Sequence, residues 1–128
     1  MDSDELKKRT KKFALDIIDL VKSIPRNRPW DVLSNQLVRS ATSVGANYRA
    51  ACRARSRADF ISKITVVEEE SDESLYWLEI LEESHGVADF DLRQLKEEAS
   101  QLTAIFTASG KTAKTRNSQS PIRPPKLP

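Results

Sequence analysis

Apolar residues in this chain recur three, four and seven apart over four separate stretches, and that period commits most of the sequence to amphipathic helices. In the first stretch, over residues 4–24, Leu6, Phe13, Ile17, Leu20 and Ile24 share one face, while Lys7, Lys8, Lys11 and Lys12 fall mostly off it, toward water. Pro25 stops that helix, and Pro29 keeps the connection short. A second helix opens near Trp30 and Asp31, with Asp31 the expected N-cap and Leu33, Leu37, Ala41, Val44 and Tyr48 as its stripe. A third begins at Ser56, an N-cap with Asp59 three residues on, and carries Phe60, Ile64, Val67, Ser71, Leu75, Leu78 and Leu81 to about residue 84. His85 and Gly86 are read as its end. The fourth is expected after Asp91, capped by Asp91 and Gln94. It packs through Leu92, Leu95, Ala99, Leu102, Ile105 or Phe106, and Ala108 or Ser109, fading near Lys114.

Four such stripes with short joins predict an all-α fold, an antiparallel up-down four-helix bundle. Length supports one domain over residues 1–115. Residues 116–128 hold four of the six prolines and no stripe, and read as a disordered basic tail. The join at 53–56 reads as a tight turn or a kink. Within helix two, residues 41–46 are small in side chain, and Gly45 costs a helix interior roughly 1 kcal/mol relative to Ala. Ala41, Val44, Gly45 and Tyr48 therefore mark a close packing seam, within the bundle or between subunits.

No apolar run approaches the roughly 20 residues that span a bilayer, so no membrane is expected. The acidic N-terminus is unlike a secretory signal, and the single Cys52 cannot form an internal disulfide, which together place the chain in the cytoplasm. The net charge of +2 conceals three blocks. Residues 1–57 carry 13 Lys/Arg against 6 Asp/Glu, residues 58–100 carry 3 against 13, and residues 101–128 carry 5 against none. Blocks of this kind suit helices that attract each other or a partner of matching sign.

The chemistry of catalysis is hard to build from these residues. Glu82 and His85 have the three-residue spacing of di-iron bundles, but those need the pair twice and this chain has one His. No Arg lies four to six residues before that His, as helical nucleases require. Cys52 has no base near it in sequence, and no glycine loop for phosphate is present. No enzyme, cofactor, metal site or small-molecule substrate is expected. The acidic run Glu68-Glu69-Glu70, with Asp72 and Glu73, reads as a solvated or ion-paired face. Arg49, Arg53 and Arg57 are spaced by four and would share a face while a helix continues. With Arg55 and Lys63, and with Lys111, Lys114 and Arg116 nearer the C-terminus, they are candidates for contacts to RNA or DNA phosphates. The alternative is a structural or protein-interaction bundle in which these Arg residues pair with the carboxylates of helix three.

The stretch Gln36-Leu37-Val38-Arg39-Ser40-Ala41-Thr42-Ser43-Val44-Gly45-Ala46-Asn47-Tyr48-Arg49-Ala50-Ala51 resembles the signature of the bacterial four helix bundle protein family. Members of that family are encoded in intervening sequences of large-subunit ribosomal RNA genes. Further blocks at 54–63, 72–79 and 104–113 follow in the family's order, so the resemblance covers about residues 10–114. Ala50, where the family more often has Glu, and Glu68-Glu69-Glu70 depart from it. The resemblance implies a left-handed bundle that assembles as a ring, commonly a homopentamer, with no enzymatic activity. It also implies a fold similar to the accessory variability protein of diversity-generating retroelements, which binds nucleic acid and a reverse transcriptase.

Overall fold

In the computed structural model the described residues are 1–84 and 89–119, with side chains described at 1–84 and 92–116. They form four helices, α1 Ser3–Val21, α2 Trp30–Ala51, α3 Arg57–Glu83 and α4 Asp89–Gln119, and no strand. The chain is an all-α four-helix bundle.

Each boundary has a local cause. Asp2 caps α1, its carboxylate accepting from the Glu5 N–H at 2.8 Å. That helix ends at Val21, before the expected Ile24, because its last turn tightens: the Ser23 and Ile24 N–H groups donate to Leu20 and Val21 carbonyls. The expected cap at Asp31 is not formed. The cap position is Pro29, with no side-chain bond, and Asp31 lies in the first turn of α2. Pro29 cannot donate, and its carbonyl accepts from the Leu33 N–H at 3.2 Å, which starts the helix two residues earlier than a cap at Asp31 would. Ser56 caps α3 as read, accepting from the Asp59 N–H at 3.0 Å. The 52–56 join is a turn. Helix α4 starts at Asp89, before the expected Asp91, and runs to Gln119, past the expected fade at Lys114. The expected cap at Asp91 is not formed, because the backbone is already helical from Asp89 and Asp91 lies in the first turn of α4. The expected helix end at His85 and Gly86 and the tail beyond Gln119 lie outside the described residues.

Helix α1 packs on α2 and α4, and α3 on α2 and α4. The diagonal backbone pairs stay apart among the described residues. The core is the set of stripes: Leu6, Phe13 and Ile17 from α1, Leu37, Ala41, Val44 and Tyr48 from α2, Phe60, Ile64, Val67, Leu78 and Leu81 from α3, and Leu92, Leu102 and Phe106 from α4 are all buried. Tyr48 and Phe106 bridge one diagonal, ring centroids 5.2 Å apart. Small polar residues complete the faces. Thr10 fills the gap between Leu6 and Phe13, its hydroxyl donating to the Leu6 carbonyl at 2.9 Å. Ser74 donates to Ser40 at 3.0 Å in the buried α2–α3 contact, whereas Leu33 and Leu75 are only partly covered. On α4 the open choices resolve to Phe106 and Ser109 as the buried positions.

Candidate nucleic-acid interface

Because Leu6, Thr10, Phe13 and Ile17 point inward, Lys7, Lys8 and Lys11 stand along the flank of α1 that faces α2. On α2, Thr42, Gly45, Ala46 and Arg49 occupy the matching row, three, four and seven residues apart. Between the rows runs a groove of about 440 Å³, lined by Lys7, Lys8, Thr10, Lys11, Ala14, Thr42, Gly45, Ala46 and Arg49. Its lining holds four cations, no carboxylate and no aromatic ring. Gly45 makes its floor: a Cβ there would lie 3.3 Å from Thr10 Oγ1, so this approach of α1 to α2 depends on a bare backbone.

Charge is sorted between the two flanks of α1. Toward α4, Arg9 is held in a fork by Glu98 with both N···O distances 2.7 Å, which raises the guanidinium's affinity for its proton. Lys12 pairs with Asp16 at 2.7 Å and Lys22 with Asp19 at 3.3 Å. An open cleft of about 740 Å³ lies there, with Asp16, Asp19 and Glu98 in its walls. Toward α2, Lys7, Lys8, Lys11 and Arg49 form no ion pair with any described residue. Four unneutralised cations over small side chains suit a row of phosphates, each met at the backbone and not at a base edge.

The residues singled out in the sequence are distributed differently from the single exposed line expected of them. Arg49 stands in the groove. Helix α2 ends at Ala51, so Arg53 leaves its face and lies exposed with Arg55 in the turn. Arg57 is buried, 5% exposed, and its Nη1 donates to the Arg116 carbonyl at 2.9 Å. That carbonyl is among the last four of α4, so Arg57 braces a helix end and is not on the surface. Lys63 is paired with Asp59 at 2.5 Å, which holds the Asp59 carboxyl below its usual range. Lys111, Lys114 and Arg116 are exposed on α4, and the Arg57 contact sets them at the same end of the bundle as the 52–56 turn.

None of the Arg49, Arg53, Arg55 or Arg57 guanidinium groups forms an ion pair with an α3 carboxylate among the described residues, although the Arg55 backbone N–H donates to Asp59 at 3.4 Å. Arg39 forms such a pair instead, bonding Glu70 at 2.8 Å and also Glu73. The seam residues Ala41, Val44 and Tyr48 are fully buried within one chain, and Gly45 abuts Thr10. That seam is an intrachain contact. Beside it, burial pushes the Cys52 thiol pKa up, as it does the Tyr48 hydroxyl. Among the described residues no group of three His, Cys, Asp or Glu could hold a metal, and no helix is long and apolar enough to cross a membrane. His85 lies outside the described residues, and Glu82 pairs with Lys96.

Sequence reading missed Lys7, Lys8 and Lys11 as part of this interface. The signal was present in two halves: a Lys cluster off the α1 stripe, and a small-residue row on α2. Only their juxtaposition makes a groove.

Residues 3–108 match the family described as 23S rRNA-intervening sequence protein. A solved structure from Bacteroides thetaiotaomicron, titled a protein with unknown function from the S23 ribosomal protein family, is similar at a TM-score of 0.80 and 32% identity, covering 88% of this chain and 100% of that one. No curated protein matches the chain. Neither the family description nor the neighbour's title names an enzymatic activity.

Proposed function

The chain belongs to the 23S rRNA-intervening sequence protein family, and from that premise we propose a non-enzymatic protein that binds nucleic acid along the α1–α2 groove. The observation that carries this reading is the groove itself: Lys7, Lys8, Lys11 and Arg49, unpaired among the described residues, over a floor made shallow by Thr10, Gly45 and Ala46. Arg53 and Arg55 extend the basic surface to the bundle's end. In its finer form the reading is an antiparallel up-down bundle in a homopentameric ring, an adaptor for a nucleic-acid enzyme such as a reverse transcriptase. Contacts between α3 and α4 support the helix directions, since Arg57 meets Arg116, Glu68 meets Thr107 and Glu82 meets Lys96. The ring rests on the resemblance; with the seam filled inside one chain, it would use outer helix faces.

The test is fluorescence anisotropy with labelled duplex RNA or DNA across a salt series. Four phosphate contacts give a log–log salt slope of about −3.6 on a duplex. Lys8→Glu with Lys11→Glu should abolish binding, and Arg49→Glu should weaken it. Absence of binding at low salt would sink the reading. A structural bundle is the second reading, and the burial of Arg57 against α4 favours it for that residue alone.

A further inference from the structure

Helix α3 turns a second surface outward, on the side of the bundle away from α1. Its exposed positions Glu69, Asp72, Tyr76 and Glu83 follow the helical period and form one ridge, with exposed Val66 on its flank, about 80° round the helix from Tyr76. Tyr76 is 53% exposed and Val66 36%, and the Tyr76 side chain is held in place. The Tyr76 ring meets Trp77 nearly edge-on, centroids 5.1 Å apart at 69°. Trp77 packs against the core and donates its Nε1–H to Glu73 at 3.1 Å, and Glu73 is paired with Arg39 of α2. Tyr76 is thus an aromatic anchor fixed from behind and open in front.

Its surroundings select one kind of cation. Glu69, Asp72 and Glu83, with half-buried Glu79, form no ion pair with any described residue. Asp72 stands one turn from Tyr76 on the same face, so a guanidinium can lie on the ring while its N–H fork meets the carboxylate. An ammonium would gain the charge but lose the planar stacking and the fork. Val66, ten residues back, offers an apolar contact about 15 Å along the axis. The same carboxylates repel phosphate, so the ridge is unsuited to nucleic acid.

We propose that the outer ridge of α3 is a docking surface for an arginine-rich amphipathic helix of another protein, one Arg stacking on Tyr76 beside Asp72 and an apolar residue seating at Val66. The ridge lies on the helix diagonal to α1, so the basic groove and the ridge can be occupied together. The chain would then hold phosphate on one side and a basic protein on the other.

The probe is a fluorescein-labelled, 18-residue amphipathic helical peptide bearing Arg and Leu at these spacings, with a Lys-for-Arg counterpart, titrated against the full chain. The Arg peptide should bind with roughly micromolar affinity at low salt and the Lys peptide several-fold more weakly. Tyr76→Leu should weaken binding about tenfold. Glu69→Gln with Asp72→Asn should weaken it and flatten its salt dependence, while Lys8→Glu should leave it intact. All these side chains are exposed, so the variants should keep the wild-type fold. No binding, or equal binding by Tyr76→Leu, would overturn the proposal. So would loss of binding on Asp16→Asn with Asp19→Asn, which would place the peptide in the α1–α4 cleft. Sedimentation closes the remaining route: self-association of the wild type that Tyr76→Leu abolishes would make the occupant a second copy and overturn the proposal as well.

Discussion

Gly45 shows how one missing side chain sets a surface. Replacing it with Ala gains roughly 1 kcal/mol of helix propensity. The new Cβ, however, meets a Thr10 hydroxyl already held by the Leu6 and Lys7 carbonyls. Gly45→Ala should therefore be near neutral, whereas Gly45→Val should cost about 1–3 kcal/mol by overpacking and spread the groove. Urea unfolding measures the first effect and nucleic-acid affinity the second. Arg57 makes the opposite point, a charged residue turned inward to serve a helix end. Arg57→Ala should destabilise by about 1–3 kcal/mol, because the Arg116 carbonyl loses its guanidinium donor and the buried aliphatic stem loses its packing. Its affinity for nucleic acid should stay within about twofold of wild type, since it offers no surface charge. A loss as large as that of Lys8→Glu would contradict its buried placement. Cys52 gives a chemical check at the same scale. With its thiol pKa pushed up by burial, alkylation by iodoacetamide at pH 8 should be slower than for a free thiol, and should quicken in urea.

Among the elements, α1 and α3 both start on a side-chain cap, and both starts are sensitive to acid. The Asp2 carboxyl is held below its usual range chiefly by the Glu5 N–H, and that of Asp59 chiefly by Lys63. A carboxyl lowered in the folded state adds stability above its unfolded value and loses it as pH falls through the folded one. Helical signal in moderate urea should hold steady from pH 7 to about 4 and decline below, and Asp2→Asn with Asp59→Asn should shrink that decline. Ser56→Ala should cost about 1 kcal/mol, read as a fall in urea midpoint. The Ser56 cap was legible from its own side chain, whereas Asp2, which also caps through its carboxylate, was not picked out in the sequence. Nor was the start of α2 legible: it begins on the Pro29 carbonyl, so Asp31 looked like a cap and is not one.

Across the whole molecule, the opposing charge blocks translate into surfaces. The α1–α2 face forms a groove lined by four cations, while acidic α3 splits into Glu70 and Glu73, tied to Arg39, and an outer ridge whose carboxylates form no ion pair with a described residue. Raising salt should therefore weaken binding in the groove more than it weakens the fold, whose ion pairs are mostly half-exposed. Parallel salt series of nucleic-acid affinity and urea midpoint would check this. The all-helical fold, the order of the four helices and nearly every core residue were legible in the sequence alone. A 3.6-residue period fixes where each side chain lies around its own helix, and that information is local. What only the tertiary structure decided is which flank of one helix meets which flank of the next. That depends on rotation and register set by packing between residues far apart in sequence, such as Thr10 against Gly45 and Arg57 against Arg116. For that reason the stripes predicted the bundle, but the three lysines of α1 and the small row of α2 became one groove only when the helices came together.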